Sequence, residues 1–570
     1  MRGWRLEIVL LLFLLALGAL WQVQRHPLHR PRAEPEQPAV DPSSPATGSP
    51  YLLLVDPVQV ERSASLPLQQ RDWSYAWINW LEQELGPYRI ASPHQLGTTA
   101  EPVDGVRLAI VSRSAWNGLG PGARLALDAV IASGGAVIAE SPPPGVPLPG
   151  PAERVVLLEE AFSTLLVKLQ QGWLDGGQPR PRTPGGMIRT QQLCRSGPGE
   201  LLAPVADQLE RELLARVEAL VPLLRWWPFP EGAAGVVAFT YDEAGFGASS
   251  TWMARHDWSR GVASTLFLTP HGPGRRGRQL ATNVGSDAGI GWTRGLDDLA
   301  PSIRWGAGPF TLFWRKAGLG EQLHLLRALL SDEEILGISR SVGSLWDPGF
   351  GKSFRILSRA GIAADSSYGP TDDERVGYLF GTGLPFHPLD DNGRPFALLE
   401  VPYLFRNTGR YQRELQKQLV TGSRNGDHQL LVGLFDVGFM ASSPSVERME
   451  AWLELPQLAT EHEHRSMSLE AYLGHWRARL ASPIASSWDE ATTTLAARVT
   501  ASVSGLTLAF PSLARGQALA SAQLDGAVLP QERLIRRGML LLLPVLTGEH
   551  QLQLVYGKPG QDQEQAPRPR

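Results

Sequence analysis

Between residues 51 and 478, short apolar runs alternate with stretches whose apolar residues recur at helical spacing. That alternation limits the chain to parallel sheets covered by helices. Residues 52–55, 107–111 and 136–139 read as strands. Trp73, Trp77, Trp80 and Leu81 recur on one helical face. Leu125, Ala129 and Val130 mark a second helix, stopped at Gly134-Gly135. The spacing predicts a doubly wound α/β domain over 51–175.

Further short apolar runs occur at 236–240, 264–268, 335–339, 362–366, 398–401 and 430–435, with helical stretches at 321–330 and 445–453. This pattern predicts a β/α barrel over 233–478, with the Gly- and Arg-rich residues 271–320 as a long loop insertion. An amphipathic stretch, 201–224, predicts a helical connector within 176–232, and Trp226, Trp227 and Phe229 read as an aromatic plug at a domain junction. Beyond residue 480 the apolar period becomes two. Asp525-Gly526 and Thr547-Gly548 stand where hairpin turns belong. Residues 484–557 therefore read as a small β-sandwich, serving either packing or glycan binding, and 558–570 as a disordered tail. The whole is an α/β multidomain chain of 570 residues.

Arg2 and Arg5 precede an apolar run over 8–21. Residues 1–24 read as a signal anchor or a cleaved signal peptide, and the proline-rich residues 25–50 as a tether. The body is expected outside the cytoplasm, periplasmic, membrane-anchored or secreted. Cys194 is the only cysteine, which excludes an intrachain disulfide, a CxxC zinc pattern and a lipid anchor after the apolar run. A net charge of −4 argues against a general nucleic-acid binder. No GxSxG elbow, P-loop or GxGxxG after a strand is present. The basic run 272–278 reads as a solvated loop or a contact for an anionic polymer.

The segment VVAFTYDEAGFG, 236–247, ends an apolar strand in Thr240-Tyr241-Asp242-Glu243. It resembles the first motif of the NodB-type polysaccharide deacetylases, carbohydrate esterase family 4. ASTLFLTP, RILSRAGIAADSSYGP, VGYLFGTGLPFHPLD, LLEVPYLF and LLVGLFDVGF are similar to later strands of that barrel, in order, over 230–478. The resemblance implies Asp242 as general base and Glu243 as ligand of a divalent metal such as zinc, which would lower the pKa of the attacking water. It implies a polysaccharide ligand at the strand C-termini, with Tyr241, Trp346 and Asp436 as candidate contacts; Trp252, Trp292 and Trp305 are further aromatic candidates. RLALDAVIASGGAVIAES in turn resembles flavodoxin-like, class I glutamine amidotransferase-like modules, here without their cysteine, so the domain is expected to act as a spacer or interaction module.

The departures shape the functional expectation. The two metal histidines of the family fall on Ser339 and Gly343, and its acid histidine falls on Phe435. Neither serine nor glycine replaces imidazole as a ligand. The chain is therefore expected to be a degenerate deacetylase without a bound cofactor, binding a cell-envelope or extracellular polysaccharide. Two alternatives are an active metal-dependent N- or O-deacetylase with ligands relocated to His271, His387 or His428, and an envelope scaffold with a protein partner. The membrane is reached through the N-terminal segment.

Overall fold

The computed structural model describes residues 49–96, 103–172, 188–193, 202–243, 256–257, 259–268, 289–294, 338–341, 345–346, 349–359, 361–370, 377–406, 412–436 and 446–557. The chain divides into a unit of residues 1–38 and one of 39–570, and every described residue belongs to the second. The expected anchor, most of the tether, most of the 271–320 insertion and the tail lie outside the described residues.

Five parallel strands open the fold: Tyr51–Leu54, Arg89–Ala91, Leu108–Val111, Ala136–Glu140 and Val155–Leu158, in spatial order second, first, third, fourth, fifth. The order reverses at the first strand, as in a doubly wound sheet. Tyr51–Leu54, Leu108–Val111 and Ala136–Glu140 are buried along their whole length, because both faces are covered. One face packs against Trp73, Trp77 and Trp80, the other against Leu127 and Val130 of the helix Pro121–Ala132. Proline opens that helix, and Gly134, at φ +82, closes it in the left-handed conformation that glycine tolerates best.

A second, wholly parallel sheet runs Leu399–Glu400, Ala364–Asp365, Ile338–Ser341, Gly289–Arg294, Ser264–Leu268, Gly235–Glu243, Leu430–Asp436, Phe405–Arg406. His464–Ser466 also pairs with the start of Gly235–Glu243. No ladder among the described residues joins Leu399–Glu400 to Phe405–Arg406. Two strands differ in extent from the sequence expectation. The strand expected over 335–339 runs on to Ser341 within its described part, Ile338–Ser341, and 362–366 shrink to Ala364–Asp365, which pair with Ile338 and Ser339.

The C-terminal region forms a six-stranded and a four-stranded antiparallel sheet around one apolar cluster that includes Leu495, Val499, Leu508, Leu543 and Leu554. Asp525-Gly526 makes the expected turn, with both residues at positive φ. Thr547-Gly548 does not form a hairpin. Leu540–Pro544 pairs in the four-stranded sheet and Gly548–Gly557 in the six-stranded one, so this turn carries the chain from one sheet to the other. The connector contributes the helix Val205–Glu218 and the short strand Arg225–Trp226, which adds to the C-terminal sheet through Leu508 and Ala509. Trp226 is fully buried, and its indole donates to the Ser482 carbonyl at 2.8 Å.

Long-range polar bonds lock these regions together. Asn79 donates to the His387 carbonyl at 3.1 Å, Gln83 to the Pro385 carbonyl at 3.0 Å and Gln171 to the Leu389 carbonyl at 2.7 Å. Arg479, fully buried, donates to the carbonyls of Trp226, Glu82 and Gln83 at 3.0, 2.6 and 3.2 Å. Each bond satisfies a buried backbone acceptor from a different part of the chain.

Candidate functional site

Parallel strands share one C-terminal edge, and the Thr240-Tyr241-Asp242-Glu243 segment reaches it in Gly235–Glu243. The neighbouring strand brings Asp436 into register with Asp242. Two of the three candidate acidic positions, 242 and 436, are therefore adjacent across the sheet. Strand alternation gives position 242 the parity of Thr240 and position 243 that of Tyr241.

Which parity faces the concave side follows from one contact. Arg340 Nη1 donates to Thr240 Oγ1 at 2.9 Å, although two strands, Ser264–Leu268 and Gly289–Arg294, separate their own strands in the sheet. Only the concave face allows this reach. The same guanidinium donates through Nε to the Ser366 carbonyl at 2.8 Å and through Nη2 to Ser366 Oγ at 3.0 Å. Its carbon lies 4.2 Å from the centroid of the Phe267 ring and 5.2 Å from that of Tyr403, within cation–π range. Arg340 is buried, so a fixed positive charge occupies the barrel interior. Arg340 is not singled out by the sequence: alternation puts 339 and 340 on opposite faces without telling which face is concave.

Ser339, expected at a metal-ligand position, is on the other face and hydrogen-bonds to Asp365 Oδ1 of the adjacent strand. Phe435, aligned with the acid histidine, is likewise turned outward. It stacks on Phe239 at 5.7 Å and packs with Tyr241 and Phe405. Gly343 lies outside the described residues. Among the described side chains of this strand, the serine is committed to Asp365, and the interior position beside it carries a guanidinium.

Two candidate substrate contacts take core positions instead. Tyr241 is fully buried beneath the helix Val446–Glu461; its hydroxyl donates to Asp257 Oδ2 and accepts from Trp452 Nε1 at 2.8 Å. An odd strand position next to an even interior one must face the covering helix, and this sends Tyr241 there. Trp346 is 2% exposed and packs edge-on against Phe354 and Tyr368, with centroids at 4.8 and 5.2 Å. Burial raises Asp257 to about 7, against the lowering effect of the Tyr241 hydroxyl.

Two of the three relocated-ligand candidates, His428 and His387, are held away from the mouth. His428 precedes Leu430–Asp436, at the opposite edge of the sheet, where its Nδ1 lies 3.1 Å from the Ala234 carbonyl and its ring meets Trp227 edge-on. Burial lowers it to about 3. His387 lies at the junction with the N-terminal sheet; its Nδ1 is 2.9 Å from the Phe396 carbonyl and its Nε2 is 3.4 Å from Glu82. His271, Trp252 and Trp305 lie outside the described residues, and Trp292 is placed only as a strand position in Gly289–Arg294. Among the described residues no three His, Cys, Asp or Glu side chains cluster as metal ligands, and no helix is long and apolar enough to cross a membrane.

No protein-family model matches this sequence, and no curated protein matches it. Several solved structures are similar over part of it, three of which follow. One is described as a polysaccharide deacetylase involved in O-antigen biosynthesis from Bordetella bronchiseptica, at 16% identity over 44% of this chain and 93% of that one, with a TM-score of 0.25. A second is described as a polysaccharide deacetylase from Mycobacterium smegmatis, at 13% identity over 45% and 94%, with a TM-score of 0.28. The third is an allantoinase, PuuE, at 14% identity over 44% and 93%, with a TM-score of 0.30.

Proposed function

We propose that this chain is an exported, deacetylase-like protein that binds a cell-envelope or extracellular polysaccharide and does not perform metal-dependent hydrolysis. The observation that carries the reading is Arg340. A guanidinium spanning the concave face to Thr240, two residues before Asp242, opposes a divalent cation at the strand ends. The Ser339–Asp365 bond supports it from the same strand. In this reading Asp242 and Asp436, in register at the mouth, are acceptors for sugar hydroxyls, and Asp242 does not serve as a general base. In this reading the N-terminal apolar run exports the body and holds it at the membrane, and residues 484–557 are a sandwich module attached to the barrel.

Metal content tests the proposal. The purified full-length chain would be equilibrated with zinc, cobalt and nickel in turn, desalted and analysed for bound metal, beside Asp242→Ala/Glu243→Ala. Substoichiometric metal, equal in both proteins, is the expected result. About one metal per chain, lost in the double variant, would sink the degenerate reading and restore the active deacetylase.

A further inference from the structure

The six-stranded sheet packs one face against the C-terminal core and leaves the other uncovered. Alternation carries Leu495, Val499, Leu552 and Leu554 inward and turns Ser487, Ala496, Arg498, Gln551 and Gln553 outward. Register then assembles two rows. Ser487 lies beside Ala496, Ala496 beside Gln553 and Gln553 beside Gln523; in the next row Ala485 lies beside Arg498 and Arg498 beside Gln551. The rows line a groove of about 660 Å³, to which Gly105 of the N-terminal region also contributes.

The floor of this groove contains alanines, and its walls carry amides and a hydroxyl. Among the described residues, Ser487, Gln523, Gln551 and Gln553 spend no side-chain hydrogen bond on the protein. Each glutamine offers two donors and an acceptor. None of the exposed large apolar side chains of the described residues lines the groove, which argues against a helix or an apolar protein surface. Arg498 is paired with Glu549 at 3.2 Å, which argues against a polyanion.

We infer that this face is a second polysaccharide-binding site, taking a single extended, uncharged chain of hexose or N-acetylhexosamine units. A polyhydroxyl chain is the partner that matches unpaired amides over a small-residue floor without needing apolar area or net charge. Neighbouring strands stand about 4.8 Å apart, so the four-strand row Ser487–Ala496–Gln553–Gln523 extends about 14 Å, enough for a few sugar rings. The groove shares its ligand class with the proposed barrel function and stands on separate residues.

Affinity electrophoresis of the full-length chain tests it, in gels cast with hydroxyethylcellulose, glycol chitin or alginate. Retardation by a neutral polymer, unchanged by added salt, is expected. Gln523→Leu/Gln553→Leu should weaken it about tenfold, the effect of losing two hydrogen bonds. Ala496→Tyr, which fills the floor from an exposed position, should weaken it as much. Asp242→Ala/Glu243→Ala should leave this component intact. Retardation by alginate alone, or by no polymer, overturns the inference. Retardation lost in the Asp242/Glu243 variant and kept in the glutamine and Ala496 variants also overturns it, while sparing the barrel reading.

Discussion

Arg479→Met is expected to destabilise the chain by about 3–5 kcal/mol, because three backbone carbonyls lose their donor in a sealed interior. The helix Leu469–Leu480 carries Arg479 to a point where the carbonyls of Glu82, Gln83 and Trp226 converge. The guanidinium also lies 4.8 Å from the Trp476 ring centroid. Burial lowers its pKa to about 10, so it stays charged at neutral pH. Methionine fills similar volume with no donor. Arg479→Lys should lie between, since one ammonium cannot reproduce the fork. Urea denaturation measures both. A loss below about 1 kcal/mol for the methionine variant would mean that the regions are not coupled through this residue.

A second large effect is expected from Asp207→Asn, and it depends on pH. Asp207 and Glu210 lie one turn apart on Val205–Glu218, both fully buried. Burial raises Asp207 from 3.8 to about 7, opposed by Arg211, the Thr382 hydroxyl and Gln429, and reinforced by Glu84. Glu210 is also raised well above the usual carboxylate range, by burial, then Asp207 and Glu84. Gln429 Nε2 donates to Asp207 Oδ2 at 2.5 Å, and Gln170 Nε2 to Glu210 Oε1 at 3.2 Å, while Asp207 Oδ1 and Glu210 Oε2 have no partner.

The sign follows from linkage. With its pKa raised in the folded state, Asp207 holds a proton that the unfolded chain has already lost between about pH 4 and pH 7. Its stabilising share is complete below pH 4 and disappears as pH rises through 7. Asparagine removes the ionisation, so Asp207→Asn should gain roughly 2–4 kcal/mol over wild type at pH 8 and almost nothing at pH 4. His428, His464 and His475 act on the other limb. Burial lowers them to about 3, 4 and 4, so their contribution is present above pH 6.5 and lost as pH falls through those values. Melting temperatures of wild type and Asp207→Asn across pH 4–8 separate the limbs. A difference that does not grow with pH would place the buried charge elsewhere.

Much of the scaffold was legible because parallel strands buried on both faces are written as continuous apolar runs. Leu108–Val111 and Ala136–Glu140 were visible for that reason, and the Trp226-Trp227-Phe229 plug because large aromatics need a junction to be buried. The candidate site was legible only by position. Naming Tyr241 and Ser339 required knowing which strand face was concave, and a motif does not carry that parity. Arg340 was hidden for the same reason. The polar lock was invisible: Asn79, Gln83 and Gln171 look like surface residues until Pro385, His387 and Leu389, some 218 to 308 residues away, supply their partners.

That lock orders events in time during synthesis. Glu82 and Gln83 find the donor for their carbonyls in Arg479, 397 and 396 positions later. While the ribosome is still making the middle of the chain, the N-terminal sheet can pair its strands, yet it exposes the tryptophan-bearing side that the connector and barrel later cover. Contacts of such separation form late and slowly. Until its final hundred residues arrive, that surface lacks the Arg479 donor that closes it.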